Sequence, residues 1–192
     1  MWVKSSALFL LVLGCLSPAL RATPLRQAKE GVKTLVRGPI AAYEQACARC
    51  HGPNGSFYGP DLGKGKTDSQ LYKAVQSMAD NQGQIELTPV EVEAQTAYHR
   101  AIIKREPFLA VTERTRATIC GEVTKGSTIT VTVSGKPQQV RVVGFQWSTT
   151  LNDEGPILIT ARRKNKEVKL DPDKAAHSHP AGCNGGTNDS PG

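Results

Sequence analysis

Three residues at fixed spacing, Cys47, Cys50 and His51, constrain this chain more than any other feature of its sequence. In a helix, residues at positions i, i+3 and i+4 share one face, so both thiols and the imidazole lie on the same side. The spacing C-x-x-C-H is typical of covalent haem attachment, in which two thiols form thioethers with the porphyrin and the imidazole reaches the iron. We therefore expect one covalently bound haem c, attached through Cys47 and Cys50, with His51 as the proximal iron ligand.

Two other chemistries use a C-x-x-C pair, and the rest of the sequence supports neither. A structural zinc site needs further ligands at similar spacing, and the chain has no second C-x-x-C and no H-x3-5-H pair. A thioredoxin-type redox pair lies within a βαβ pattern, which does not surround Cys47. Haem attachment is the interpretation that the spacing favours.

The N-terminal segment predicts export. A lysine precedes the apolar run 7–13, which has the length of a signal-peptide core and is too short to span a bilayer. Cleavage after Ala22 makes residues 1–22 a signal peptide. Alternatively, the apolar run with a small residue before Cys15 resembles a bacterial lipobox, and Cys15 then becomes the lipidated N-terminus. Both alternatives stay open, and both predict a periplasmic or cell-envelope location, the second as a membrane-anchored lipoprotein.

Residues 38–106 are predicted to contain three helices. The first begins at Pro39 and ends in the haem motif, and the second begins at Thr67-Asp68. The third begins at the capping box Thr88-Pro89-Val90-Glu91. Apolar positions of the second and third helices recur at helical spacing: Leu71, Ala74, Val75 and Met78, then Val90, Ala94, Ala97, Tyr98, Ala101 and Ile102.

This order of elements closely resembles the small all-α class I monohaem cytochrome c domain. The resemblance covers residues 38–106 and rests on the C-x-x-C-H-G motif, on Gly-Pro-x-Leu after it, and on Leu-Thr-Pro-x-Glu before a last helix that contains Ala-Tyr. It implies that the backbone carbonyl of Pro60 accepts a hydrogen bond from Nδ1–H of His51. It also implies that Tyr98 packs against the first helix near Tyr43.

The second axial ligand is where the sequence departs from this family. The resemblance implies a methionine in the loop between the last two helices, but the loop 80–86 contains none, and Met78 is the only methionine besides Met1. Three alternatives stay open: Met78 binds the iron on the distal side, Met78 is core and the sixth position is vacant or holds water, or another side chain binds. His99 is the obvious substitute, although its position beside the Tyr98 stripe predicts a half-exposed histidine.

From Arg114 onward the pattern changes to short β-branched runs. We predict strands at 117–120, 129–133, 140–143 and 156–160, with a hairpin turn at Ser134-Gly135-Lys136-Pro137 between two of them. The predicted fold class is α+β, with an all-α cytochrome c-like haem domain followed by a small antiparallel β module. The predicted domain boundaries are a tether at 23–37, the haem domain at 38–106, the β module at 107–170 and a flexible tail at 171–192.

Two cysteines remain after haem attachment and any lipidation. An oxidising compartment is expected to pair Cys120 with Cys183 in a disulfide. The alternative is a copper or zinc site formed by His177, His179 and Cys183 in the tail. A disordered tail is expected by default, since it is rich in Gly, Pro and Ser.

These observations predict an exported c-type cytochrome that carries single electrons between redox partner proteins. No nucleophile triad, metal cluster or phosphate loop occurs in the β segment, so we expect no chemistry there. Whether the chain is an enzyme stays open, with an electron carrier favoured. The net charge is +7, but an exported chain without aromatic residues among its basic runs does not suggest a nucleic-acid partner. Two alternatives remain: a five-coordinate haem protein that binds a gas or peroxide as sensor or enzyme, and the haem subunit of a larger oxidoreductase.

Overall fold

The computed structural model describes residues 37–174, with helices in the first half and strands in the second. A 3-10 turn at Pro53–Gly55 follows the haem motif, and a π-helical turn at Ala79–Gly83 extends the third helix. The α-helices of the described residues are α1 (Pro39–Ala46), α2 (Ala48–His51), α3 (Asp68–Met78) and α4 (Pro89–Lys104).

The predicted helix starts are confirmed. Pro39 is the first residue of α1, and full capping boxes precede α3 and α4. In each box the threonine hydroxyl accepts from the backbone N–H three residues later, which is Gln70 for Thr67 and Glu91 for Thr88. The side chain of that later residue accepts from the backbone N–H of the threonine. The first helix is not continuous as expected, because it is interrupted at Cys47, where α2 begins.

Eight strands follow in the described part of the chain, all of them paired in antiparallel fashion. One sheet has the order β1-β2-β6-β5 and the other β4-β3-β7-β8. The four predicted strands are confirmed as β2, β3, β5 and β7. The strands are β1 (Leu109–Arg114), β2 (Thr118–Val123), β3 (Thr128–Val133), β4 (Lys136–Gln138), β5 (Val140–Val143), β6 (Gln146–Thr150), β7 (Ile157–Arg163) and β8 (Lys166–Leu170).

The predicted hairpin forms, but it does not join the expected strands. The turn at Ser134 and Gly135, both at positive φ, connects β3 to the short strand β4. The next predicted strand, β5, pairs with β6 in the other sheet. The chain therefore changes sheets after this hairpin, and the pairing of β5 is set by contacts distant in sequence rather than by the turn.

The predicted fold, an all-α cytochrome c-like domain followed by a small β module, is wrong. Strand accounts for about 30% of the structure against about 34% for helix, so the β part is not a small addition. Its two sheets pack face to face on one core around Trp147. The helices and strands belong to one compact unit, because Phe108 and Ala110 complete a core with Tyr43 and Tyr98. The periodicity within each segment does not reveal a core that is shared between them.

The helix that leads into the haem motif begins on the β part. Gly38 is the N-cap of α1 and offers no side chain, so the backbone N–H groups of Ile40 and Ala41 donate to the Glu122 carboxylate on β2 at 2.6 and 3.2 Å. A side chain at Gly38 would collide with this carboxylate, since its Cβ would lie 2.0 Å from Oε1 of Glu122. The β part thereby fixes where α1 starts.

Candidate cofactor site

The C-x-x-C-H motif at Cys47–His51 forms a single helical turn. The backbone N–H groups of Cys50 and His51 both donate to the carbonyl of Cys47, at 3.1 and 3.0 Å. Gly52 ends the turn at φ 74, and its carbonyl accepts from the hydroxyl of Tyr43 at 3.1 Å. Both thiols and the imidazole therefore come from one turn whose end is tied to α1.

This turn lines a cavity of about 330 Å³. Cys47, Cys50 and His51 form one side of it, and Arg49, Gln82 and Gly83 also line it. Apolar side chains from α1, the end of α3 and the segment before α4 form most of the remaining wall: Ala42, Ala46, Val75, Ala79, Ile85 and Leu87. A volume of this size with mostly apolar walls is typical of a site for a small organic cofactor.

Met78 lies on the wall of the same cavity. It is the last residue of α3 and is half-buried, immediately before the π-helical turn. The structure thus brings Met78 and His51 together around one cavity, although 27 residues of chain separate them. A thioether at this position is a suitable soft ligand for a haem iron.

Pro60 does not line the cavity that contains His51. It is exposed and lines a separate groove of about 600 Å³ together with Tyr58 and Tyr98. Among residues 37–174, no hydrogen bond joins the Pro60 carbonyl to His51. The structure therefore does not bring together the pair that the cytochrome resemblance implied.

The expectation that His99 is half-exposed is wrong. Its side chain is only 3% exposed and lines the cavity with His51. The buried face of α4 is displaced from the predicted stripe, since Ala97 is exposed while Gln95 and His99 are buried. Burial lowers the pKa of His99 to about 4, and the nearby His51 acts in the same direction. His99 is consequently a neutral imidazole at neutral pH.

Gln95 is a cavity residue that the sequence did not indicate. It is 2% exposed, and neither its amide nitrogen nor its amide oxygen has a hydrogen-bond partner within the described residues. A buried polar group without a partner costs about 1–3 kcal/mol. One signal was present, because Gln95 precedes His99 by four residues and so must share its face of α4.

Burial also sets the protonation of the motif. It raises the pKa of the Cys47 thiol, with the charge of Arg49 opposing the shift, and it lowers the pKa of His51. The Cys47 sulfur is therefore protonated and His51 is neutral near pH 7. A neutral imidazole has a lone pair available for a metal, and a thiol can add its S–H across a vinyl group to leave a thioether.

These residues fit a covalently attached haem. The walls are apolar, two thiols and one imidazole lie at one side, and the amide of Gln95 is an unpartnered polar group at the same cavity. Within the described residues, no group of three or more His, Cys, Asp or Glu side chains could hold a metal ion. A haem iron does not need such a group, because the porphyrin supplies most of its ligands and the protein only the axial ones.

Tyr98 packs as the resemblance implied, whereas the remaining predicted sites are only partly described. The rings of Tyr43 and Tyr98 meet edge to face with centroids 5.3 Å apart, which confirms that contact. Cys120 is half-buried on β2, with its sulfur 3.7 Å from a carboxylate oxygen of Glu113. The other predicted positions lie outside the described residues: Cys15, His177, His179, Cys183, the leader at 1–22, the tether at 23–37 except residue 37, and the tail at 171–192 except residues 171–174.

Comparison of the chain with protein-family models, with curated proteins and with solved structures gives no match. Over residues 37–174, no helix combines the length and apolar character needed to cross a bilayer.

Proposed function

We propose that this protein is an exported c-type cytochrome that carries single electrons through one covalently bound haem. The observation that supports this most is the convergence of Cys47, Cys50 and His51 on one side of an apolar cavity. A bound haem iron accepts and releases one electron at a time. The protein would hold it through two thioethers, bind its iron through the His51 imidazole and keep water away with the apolar wall.

Covalent attachment is the first test. Protein matured in a host with haem-attachment machinery should keep its haem in a denaturing gel, because thioether bonds survive unfolding. Replacing both motif cysteines, Cys47→Ala with Cys50→Ala, should abolish the haem stain completely. Cys120→Ala is the matched control, since this cysteine lies outside the motif, and it should stain like the wild type. A wild type that loses its haem on the gel, or a double variant that keeps it, contradicts the proposal.

The second test concerns the distal ligand. If Met78 binds the iron, the ferric protein has a weak band near the red edge of the visible spectrum and the ferrous protein resists carbon monoxide. Met78→Ala should remove the band, lower the reduction potential and admit carbon monoxide. Leu87→Ala enlarges the same cavity without removing a donor atom, and it should do none of these. Identical spectra for wild type and Met78→Ala would show that Met78 is core packing.

A haem protein that binds a small ligand is the second candidate, and the unpartnered amide of Gln95 favours it. An amide in an apolar cavity can donate to a polar molecule bound at the iron, such as a gas or a peroxide. In this case the wild type binds carbon monoxide readily. Gln95→Leu should then accelerate dissociation of dioxygen, which accepts hydrogen bonds, far more than dissociation of carbon monoxide.

We also propose a periplasmic or cell-envelope location. Lipidation at Cys15 would place the protein in the membrane fraction, since each buried methylene of an acyl chain contributes about 0.8 kcal/mol. Cys15→Ser should then release or stall the protein. A mature N-terminus at Thr23, read by mass spectrometry, would instead show cleavage of a plain signal peptide.

A further inference from the structure

The proposed iron ligand His51 needs contacts that fix its ring. A metal-binding histidine is oriented by the groups that surround the rest of its imidazole, and its strength as a ligand depends on them. Pro60 lies in the outer groove and does not serve this purpose in the structure. The residues that do touch the His51 ring must then orient it.

Two other rings contact His51. Tyr58 meets it edge to face with ring centroids 5.0 Å apart and planes at 85°, and the His99 centroid lies 6.5 Å away. Tyr58 and His99 are themselves stacked at 5.9 Å, with planes 25° apart. The hydroxyl of Tyr58 also forms a hydrogen bond with Nδ1 of His99. The three rings are therefore one cluster.

This cluster is anchored to the helices. His99 is 3% exposed on α4, and its ring packs edge to face on Tyr43 of α1 at 5.4 Å. Tyr43 in turn is fully buried and donates its hydroxyl to the carbonyl of Gly52, next to His51. A ring held from two helices and by a hydrogen bond has little freedom to rotate.

The same distances argue against His99 as the second axial ligand. Two imidazoles on opposite faces of a haem must leave the space between them to the porphyrin. The three centroid separations, 5.0, 5.9 and 6.5 Å, form a triangle whose longest side joins His51 to His99, so the Tyr58 ring stands beside the gap between them. A porphyrin placed between these two imidazoles would extend into the space that the Tyr58 ring occupies. His99 must act through its neighbours.

We propose that Tyr58 and His99 are positioning residues, which together set the orientation of the His51 imidazole at the iron. The inference rests on the proposed haem attachment and goes beyond it. His99 holds the Tyr58 hydroxyl, and the Tyr58 ring limits rotation of His51. This pair takes the place of the Pro60 carbonyl that the cytochrome resemblance implied.

The experiment compares four variants of the full-length holoprotein. Tyr58→Leu removes the ring, Tyr58→Phe keeps the ring and removes only its hydrogen bond, and His99→Leu removes the partner. His99→Asn offers an amide near the former position of Nδ1 and should restore the wild-type behaviour. The readouts are the reduction potential and the proton NMR shifts of the haem methyl groups in the ferric protein, which depend on the plane of the axial imidazole.

We expect Tyr58→Leu and His99→Leu to change the order or spread of the methyl shifts and to move the reduction potential. Tyr58→Phe should give a smaller change of the same sense and carries the test if the Leu variants do not fold. Tyr72→Leu is the matched control, because this half-buried tyrosine packs against the cluster of Leu71, Val75 and Val92, and no ring contact joins it to His51 among the described residues. The proposal is overturned if Tyr58→Leu lowers thermal stability but leaves the haem methyl shifts and the reduction potential like those of Tyr72→Leu. Where the Leu variants do not fold, the same result for Tyr58→Phe overturns it. Haem stain on a denaturing gel precedes each measurement, so a failure of attachment itself is recognised separately.

Discussion

The helical and β regions bury their apolar residues in different ways. In residues 109–170, side chains from both sheets form one continuous core around Trp147. In residues 39–106, the buried side chains fall into smaller clusters, one near Tyr43, one near Ile85 and one near Leu71. The cavity of the haem motif is lined by members of two of these clusters, Ala46 with Ile85 and Val75. The β region completes its own packing, whereas the helical region is organised around a site.

The helical region also depends on packing and hydrogen-bond contacts with the β region. Phe108 and Ala110 complete the cluster around Tyr43, and Glu122 satisfies the first N–H groups of α1. The segment that carries the C-x-x-C-H motif is thereby attached to the β region. The comparison predicts that damage to the β core affects the whole molecule, while damage to the helical region has effects that grow with the contacts it shares with the β region.

The largest effect is expected from Trp147→Ala. Trp147 is 2% exposed in the core between the two sheets, and truncating a buried Phe or Trp costs about 3–5 kcal/mol. Because the helices depend on the β region, far-UV circular dichroism should show one urea transition in which helix and strand signals are lost together, at a lower midpoint. Leu158→Ala on β7 is the control, since Leu158 is 42% exposed and should change stability by less than roughly 0.5 kcal/mol. Separate transitions for helix and strand would contradict the shared core.

Helix starts were readable from the sequence because their signals are local. A capping box joins residues three apart, so Thr88 and Glu91 identify the start of α4 without any knowledge of the fold. The β-branched runs were equally local, and all four predicted strands form. Strand pairing was not readable, because β5 joins β6 through contacts that the turn before it does not determine.

The site was predicted in part for the same reason. The spacing of Cys47, Cys50 and His51 is local, and the structure places all three at one cavity. Tyr58 was missed, and His99 was named as a possible iron ligand but expected to be half-exposed, because their contacts with His51 depend on how α4 packs against the motif. Glu122 was missed because it caps a helix 82 residues earlier in the chain. No periodicity in either segment indicates such a bond.

The link between the two regions through Glu122 depends on pH. Burial raises the pKa of Glu122 from 4.5 to about 7, although its hydrogen bonds from Ile40 and Ala41 oppose the shift. The folded protein then binds more protons than the unfolded chain between these pH values, so the contribution of Glu122 is full below pH 4.5 and is lost as the pH rises through 7. The change amounts to roughly 3 kcal/mol. Glu122→Gln cannot titrate and should lose this dependence.

Urea unfolding of wild type and Glu122→Gln between pH 4.5 and pH 8 gives the free energy of unfolding of each protein. The difference between the two at each pH is the measure, because contributions from titration of His51 and His99 cancel in it. Glu154→Gln, at an exposed carboxylate of the β region, is the control for the loss of a surface charge. A wild-type minus Glu122→Gln difference that stays constant with pH would show that the two backbone donors keep the carboxylate charged. The β region would then hold α1 by a permanent charge, and the coupling would not vary with pH.

The smallest effect is expected from removing the hydroxyls that cap α3 and α4. Comparing the two caps distinguishes local capping from a cap whose partner residue is buried and bonded elsewhere in the helical region. Thr88→Ala removes a hydroxyl that accepts from the backbone N–H of Glu91 and donates to the Glu91 carboxylate. Glu91 is buried, and its carboxylate also accepts from the backbone N–H of Arg37 at 2.9 Å. Thr67→Ala removes an equivalent cap in an exposed box. Loss of a cap costs about 1 kcal/mol, and a buried carboxylate that loses a donor adds to this cost. Thermal unfolding should therefore rank Thr88→Ala below Thr67→Ala, with Thr88→Ser near wild type because it keeps the hydroxyl. Equal losses of stability in Thr88→Ala and Thr67→Ala would mean that only the local capping hydrogen bonds stabilise the start of α4. Burial of the Glu91 carboxylate would then add nothing to the stability of the helical region.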